Sequence, residues 1–381
     1  MIRRSPVGVS PKLTVAIGGT AVNYESLMTI SLDFQANQHD VCKITMAGVP
    51  AVLVTDYIGK SVYVKMETGS SYVSEFWGTV QHSAPVHETA AGTINHNLFQ
   101  EVVFTCLGCS YAMRGSTTMV WKNHTLEDLA RVFCNKYGFS LDVPDDPLIF
   151  DNLMQSAESD WQVLVRYCHN MGYSLTVHGT HMHIFDPFKA AGRAVSVHRL
   201  SSPLSTSVVA HPGQIVSFEG KFARLAADGV YIDSVATVHN DAGTVYDVHT
   251  SDIVDTPTPA VFANPMTVTS DNYMQAARMI KSEHRAMSDY SATALVLGAA
   301  GVLPGGIINL DKYNGTFDGL WYVDGVMHHV RSGSFLTELR LRKNKIDTLI
   351  DVSTSAFSAP PPPQFLGGQW TTTKRLVNVY S

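Results

Sequence analysis

The chain has 381 residues, with 27 Lys and Arg against 33 Asp and Glu for a formal net charge of −6, and it is 45% apolar and only 16% charged. Disorder needs low hydrophobicity with high charge, and an electrostatic nucleic-acid binder needs a positive surplus to neutralise phosphates, so the composition of the whole chain argues against both classes. What remains is a folded chain of two to three domains whose charge-poor surface, against roughly 25% charge in an average soluble protein, suits burial inside an assembly.

Residues Met1 to Pro6 include two arginines but are followed by no apolar stretch, so a signal peptide is not expected. From Leu13 to about Met113 the hydrophobic period is mostly two. Met28, Ile30, Leu32 and Phe34 alternate with Thr29, Ser31, Asp33 and Gln35, which predicts a strand with one wet face. Shorter runs follow at Leu13 to Ile17, Cys42 to Met46, Ser61 to Met66, Phe76 to Val80 and Val102 to Leu107, separated by turn residues such as Gly18 and Gly19. Short strands without helical period between them predict an antiparallel barrel or sandwich over residues 1–113.

The period then changes to 3.6. Thr125 predicts an N-cap with Asp128 three residues on, Leu126, Leu129, Ala130, Phe133 and Tyr137 line one face, and Gly138 ends the helix. Ser159 and Gln162 make a second capping box ahead of Trp161, Leu164, Val165 and Cys168, and Gly172 stops that helix. Tyr173 to His178 and His181 to Phe185 flank Gly179 and Thr180, a two-residue hairpin loop. Residues 114–190 therefore read as a small α/β insert.

A second β-rich region spans 191–350. Val230 to Thr237 and Thr244 to His249 are candidate strands, and Ser270 caps a third helix carrying Tyr273, Ala277, Ile280, His284 and Met287. Strands follow at Ser291 to Leu297, Ile307 to Leu310, Leu320 to Val330 and Phe335 to Lys343; in the last, Phe335, Thr337, Leu339 and Leu341 face inward. The longest apolar run, Ala294 to Leu303, is about half the ~20 residues of a membrane-spanning helix and stops at Pro304. Residues 351–381 hold a run from Pro360 to Pro363, which favours an extended spacer, and a strand-like end after Gln369 that either docks on another surface or frays.

No catalytic template fits. GxxxxGK[ST], GxSxG and HExxH are missing, and Asp145 and Asp146, between Pro144 and Pro147, read as a solvated turn. Five cysteines, an odd number, suit a reduced cytosolic site of synthesis better than a disulfide framework. Cys106 and Cys109 form a CxxC without a second pair, and an offset of three on a strand puts the sulfurs on opposite faces. His178, His181 and His183 are the metal candidates. With a two-residue turn, 178 pairs with 181 and 176 with 183, which puts three imidazoles on one face as a solvated hairpin tip, a metal site or a pH-sensitive contact. His328 and His329 fall on opposite faces of a strand and read as structural. No cofactor is expected.

Two ordered segments carry a family resemblance. The first runs through Trp121, Leu126, Asp128 to Arg131, Lys136 to Phe139, then Gln155 to Leu164 and Met171 to His178; the second through Gly301 to Leu310, Phe317 to His329 and Gly333 to Leu341. Together they resemble the baseplate hub family of phage tails, which includes the late control D proteins and the N-terminal region of VgrG spikes. The resemblance implies an α+β, mainly β fold: two tail-tube-like antiparallel β-barrels, the insert between them, and an extended C-terminal tail. It further implies a non-enzymatic homotrimer in the virion, at the tail tip or baseplate, that joins a hexameric tail tube protein to a three-fold spike or tip protein. DNA would pass through its lumen during ejection without sequence-specific binding, and the net negative charge suits a neutral or acidic lumen. The ~30 residues after the second barrel are too few for a hydrolase and are expected to reach other baseplate proteins. The rival readings are a tail-associated envelope-degrading enzyme and a receptor-binding tail module.

Overall fold

The computed structural model describes residues 11–50, 54–68, 72–86, 98–146, 148–187, 197–200, 213–221, 290–310, 317–331 and 334–343, with short strands between 232 and 270 and between 364 and 371. In chain order the first β region contributes β1 (Lys12–Ile17), β2 (Thr20–Ala21), β3 (Leu27–Gln35), β4 (Val41–Pro50), β5 (Ser61–Thr68), β6 (Tyr72–Val86) and β7 (Leu98–Gly108). The insert follows as β8 (Ser116–His124), α1 (Leu126–Tyr137), β9 (Ser140–Asp142), β10 (Phe150–Ser159), α2 (Asp160–Met171), β11 (Ser174–His178) and β12 (His181–Phe185). Beyond it lie β13 (Val197–Leu200), β14 (Ile215–Lys221), β15 (Ile232–His239), β16 (Val245–His249), β17 (Phe262–Asn264), β18 (Thr269–Ser270), β19 (Tyr290–Leu297), β20 (Ile307–Leu310), β21 (Gly319–Arg331) and β22 (Ser334–Lys343). Two short strands, β23 (Gln364–Leu366) and β24 (Gln369–Thr371), pair antiparallel with one another. The third helix expected after Ser270 and the chain from 372 lie outside the described residues.

The protein is mainly β and built on one large curled sheet. Its order is β14-β19-β22-β21-β3-β4-β7-β6-β5-β1-β2, with β20 on β21 and β13 on β20. All its pairings are antiparallel except β13 with β20. The sequence pattern treats the two β regions as separate units, whereas the structure runs one hydrogen-bond ladder through both. The joint is β21, whose Gly325 to Arg331 pair with Gln35 to Thr29 of β3 on one side while the same residues pair with β22 on the other.

Alternation sets what each strand buries. In β22, Phe335, Thr337, Leu339 and Leu341 are all buried, as the period of two requires. Ile30, Leu32 and Phe34 of β3 and Val62, Val64 and Met66 of β5 turn into the same first core, where Val330 and Phe335 from the second region join them. A second core lies between β14 and β19 to β22 around Trp321, and a third is the insert's own. Removing this apolar surface from water, at about 25 cal/mol per Å², is the main force holding each core.

Both helices start and stop where their side chains dictate. Thr125 and Asp128, and Ser159 and Gln162, satisfy each other's backbone N–H groups in two complete capping boxes, while Gly138 and Gly172 close the C-termini in left-handed conformations. The insert contains three strands the period did not show, β8, β9 and β10. The first and third form a two-stranded ribbon, and β9 joins β12 in parallel.

The β11–β12 hairpin is sandwiched. Leu175, Val177, Met182 and Ile184 face the helices, while the opposite face meets the large sheet: Asn37 hydrogen-bonds Leu175 through both its backbone N–H and its side-chain oxygen. Phe185 reaches the second β region, lying against Tyr322 and beneath Gly305. Gly305, in the expected turn after Pro304, has φ of 85°, and an added Cβ would sit 2.8 Å from Phe185. Gly305→Ala is therefore expected to lower stability by about 1–2 kcal/mol, through backbone strain and overpacking together, read as a shift in the urea midpoint.

Candidate functional site

The hairpin histidines take the predicted register, His178 opposite His181 and Thr176 opposite His183. Their environments then diverge. His178 packs edge-on against Phe34, and its Nδ1 lies 3.1 Å from Oδ2 of Asp40, a carboxylate in the turn after β3. Its Nε2 is buried without a hydrogen-bond partner. So His178 belongs to the joint between insert and sheet, not to a solvated tip. Burial pushes the Asp40 carboxyl up, and the neighbouring His178 pulls it down, with burial prevailing.

His181 and His183 stay together on β12, the middle strand between β11 and β9, their rings near-parallel with centroids 6.4 Å apart. The parallel pairing of β12 with β9 puts Ser140 opposite His181 and Asp142 opposite His183. Ser140 Oγ lies 2.8 Å from His181 Nδ1, and Asp142 Oδ2 lies 2.6 Å from His183 Nδ1. The structure thus brings together two of the three expected histidines and adds a carboxylate the sequence did not single out. Asp142 sits 41 residues from His183 on a three-residue strand, so no local pattern announces it.

The motif residues of the insert form a second constellation. Asp160, the first helical residue of α2, is buried, and its carboxylate accepts hydrogen bonds from Lys136 Nζ at 2.6 Å, Tyr137 Oη at 2.7 Å and Gln155 Nε2 at 2.9 Å. Gln155 also accepts from the Trp121 indole N–H at 3.1 Å. Burial would raise the Asp160 carboxyl, but the hydrogen bonds from Lys136, Gln155 and Tyr137 outweigh it and hold the group below the usual carboxylate range. The side chains of this network bind the ribbon, α1 and α2 into one unit.

A third polar group crosses the joint between the β regions. His328 is fully buried, with Nε2 3.0 Å from Ser74 Oγ and Nδ1 2.9 Å from Thr337 Oγ1. Ser74 and Thr337 also accept the backbone N–H groups of Gly301 and Ala299. Desolvation lowers His328 to about 3, so it is neutral at any ordinary pH. The sequence reading of His328 as structural agrees with this placement.

The structure does not bring the remaining candidates together. Cys106 is buried opposite Cys42 across β4 and β7, whereas Cys109 begins a short 3₁₀ turn and reaches the Trp77 carbonyl, and all five thiols are free. Burial pushes the Cys42 thiol well up, away from the reactive thiolate. Asp145 is solvated as expected. Asp146 is not: it is buried, accepts from the Leu148 N–H at 3.1 Å and from Tyr173 Oη at 2.7 Å, and so pins the loop before β10. A surface pocket beside the β1–β2 turn is lined by Asn23, Met46, Asp56, Tyr57 and Lys60, with one carboxylate in its wall. Paired carboxylates for acid–base work do not line it.

No family model matches the chain, and no curated protein matches it. Solved structures do. A tail protein from Neisseria meningitidis MC58 is 14% identical with a TM-score of 0.65, over 89% of this chain and 98% of that one. The 43 kDa tail protein of prophage MuSo2 from Shewanella oneidensis is 14% identical with a TM-score of 0.55, over 87% and 96%. The Escherichia coli c3393 protein, a type VI secretion system component described as structurally similar to T4 tail proteins gp27 and gp5, is 9% identical with a TM-score of 0.54, over 87% and 76%. The chain has the fold of these tail proteins, and the resemblance read from its sequence holds in three dimensions.

Proposed function

We propose that the protein is a structural, non-enzymatic tail hub of a phage tail tip or baseplate. In this reading three copies form a ring, two β-barrels from each present six similar modules to the hexameric tail tube, and the other end meets a three-fold spike or tip. Its domains are then a first tube-like barrel at 1–113, the insert at 114–190, a second barrel at 191–350, and a tail at 351–381 for other baseplate proteins. DNA crosses the lumen on ejection.

The observation that carries the proposal is the fold shared with phage tail proteins over nearly the whole chain. Among the described residues the insert has a core of its own, which suits its separation, while the first β core also takes in Val330 and Phe335 from the second region. Two related modules in each of three subunits is also the simple way to match six-fold and three-fold partners. Multi-angle light scattering of the purified chain, alone and with tube protein, is expected to give a trimer or a tube-bound complex. A monomer in every condition, tube protein included, overturns the proposal.

A further inference from the structure

We propose that Asp142, His181 and His183 form a surface site for one divalent transition metal of the zinc type. Two imidazoles and a carboxylate are the donor set that Zn²⁺ accepts, and three protein ligands leave a fourth position for water or a group on a neighbouring subunit. One ligand atom from each residue lies within 4.8 Å of the other two. A tetrahedral ion with bonds of ~2.0–2.1 Å holds its ligand atoms about 3.3 Å apart, so rotation of exposed side chains closes the site.

Four features make the arrangement more than a chance surface cluster. His181 and His183 are two residues apart on one strand, which by pleat alone aims both rings to the same side. Their strand is anchored from behind, because Met182 and Ile184 are buried in the insert core. Ser140 holds His181 through Nδ1, the outer hydrogen bond that fixes the orientation of a metal-binding imidazole and leaves Nε2 to the ion. Asp142 Oδ2 and His183 Nδ1 already face each other at 2.6 Å, and the metal would replace that direct contact. Bound there, the ion clamps the three-residue β9 to the hairpin.

The test is titration of the tag-free full chain with ZnCl₂ by isothermal calorimetry, followed by amide hydrogen exchange. The expected result is saturable binding of one Zn²⁺ per chain and slower exchange over residues 140–142 and 181–183. Asp142→Asn and His181→Ala are expected to weaken binding at least about tenfold with circular dichroism unchanged, and Ser140→Ala by ~10- to 100-fold. With 16 histidines in the chain, His169→Ala serves as the control and leaves the affinity unchanged. Absence of saturable binding, or affinity equal to wild type in both Asp142→Asn and His181→Ala, overturns the proposal.

Discussion

His328→Ala is expected to destabilise the protein by about 3–5 kcal/mol, measured by urea denaturation at pH 7. The side chain is fully buried, so its removal leaves a cavity, and it also takes the ring nitrogens away from Ser74 and Thr337. The effect carries a pH signature. Above the ordinary histidine value of about 6.5, the group is neutral both folded and unfolded. Below it the unfolded chain binds a proton that the folded chain, with His328 near about 3, refuses, so stability falls as the pH drops through this window. One proton is worth about 1.4 kcal/mol per pH unit, so the difference between wild type and His328→Ala should shrink by about 2 kcal/mol from pH 7 to pH 5. A difference that stays constant would mean that His328 is not the group titrating.

Asp160→Ala is expected to cost about 2–4 kcal/mol and to loosen the insert. One carboxylate accepts from Lys136, Tyr137 and Gln155 together, and deleting it costs the buried Gln155 amide one of its two acceptors and leaves a half-buried phenol without this acceptor, while Lys136 turns to solvent. Limited proteolysis should show new cleavage between 114 and 160, and the urea midpoint should fall. Asp160→Asn keeps one acceptor oxygen and loses the charge, so its cost should be smaller. Because the folded carboxyl lies below its usual range, its stabilisation is present above that range and is lost as the pH falls through it.

What the sequence discloses here follows from the range of the interactions. The two helices match to the residue because Thr125, Asp128, Ser159 and Gln162 cap within three positions, and the β11–β12 register follows from a two-residue turn. The clean alternation of β22 reflects a strand buried on one face. By contrast β8, mostly exposed along its length, has no apolar period to detect, and β9 is three residues long. The departures of His178 and Asp146 have the same origin: Asp40 is 138 residues from His178, and Tyr173 is 27 residues from Asp146. The motif around Gln155 and Asp160 was visible as a pattern, and the structure supplies its reason, a shared buried carboxylate. Asp142 stayed hidden because a parallel neighbour leaves no mark in local sequence.

The pairing of β3 with β21 joins residues about 300 positions apart. Ribosomes add roughly 5–20 residues per second, so on a growing chain one edge of β3 waits for its partner for about 15–60 s. Through that interval β3 offers a row of unpaired backbone groups on an otherwise assembled first β region, the template that invites pairing with another chain. The late-made β21 therefore acts as the molecule's own cap on an early aggregation hazard, and a chain truncated before residue 319 should precipitate or demand a chaperone where the full chain does not.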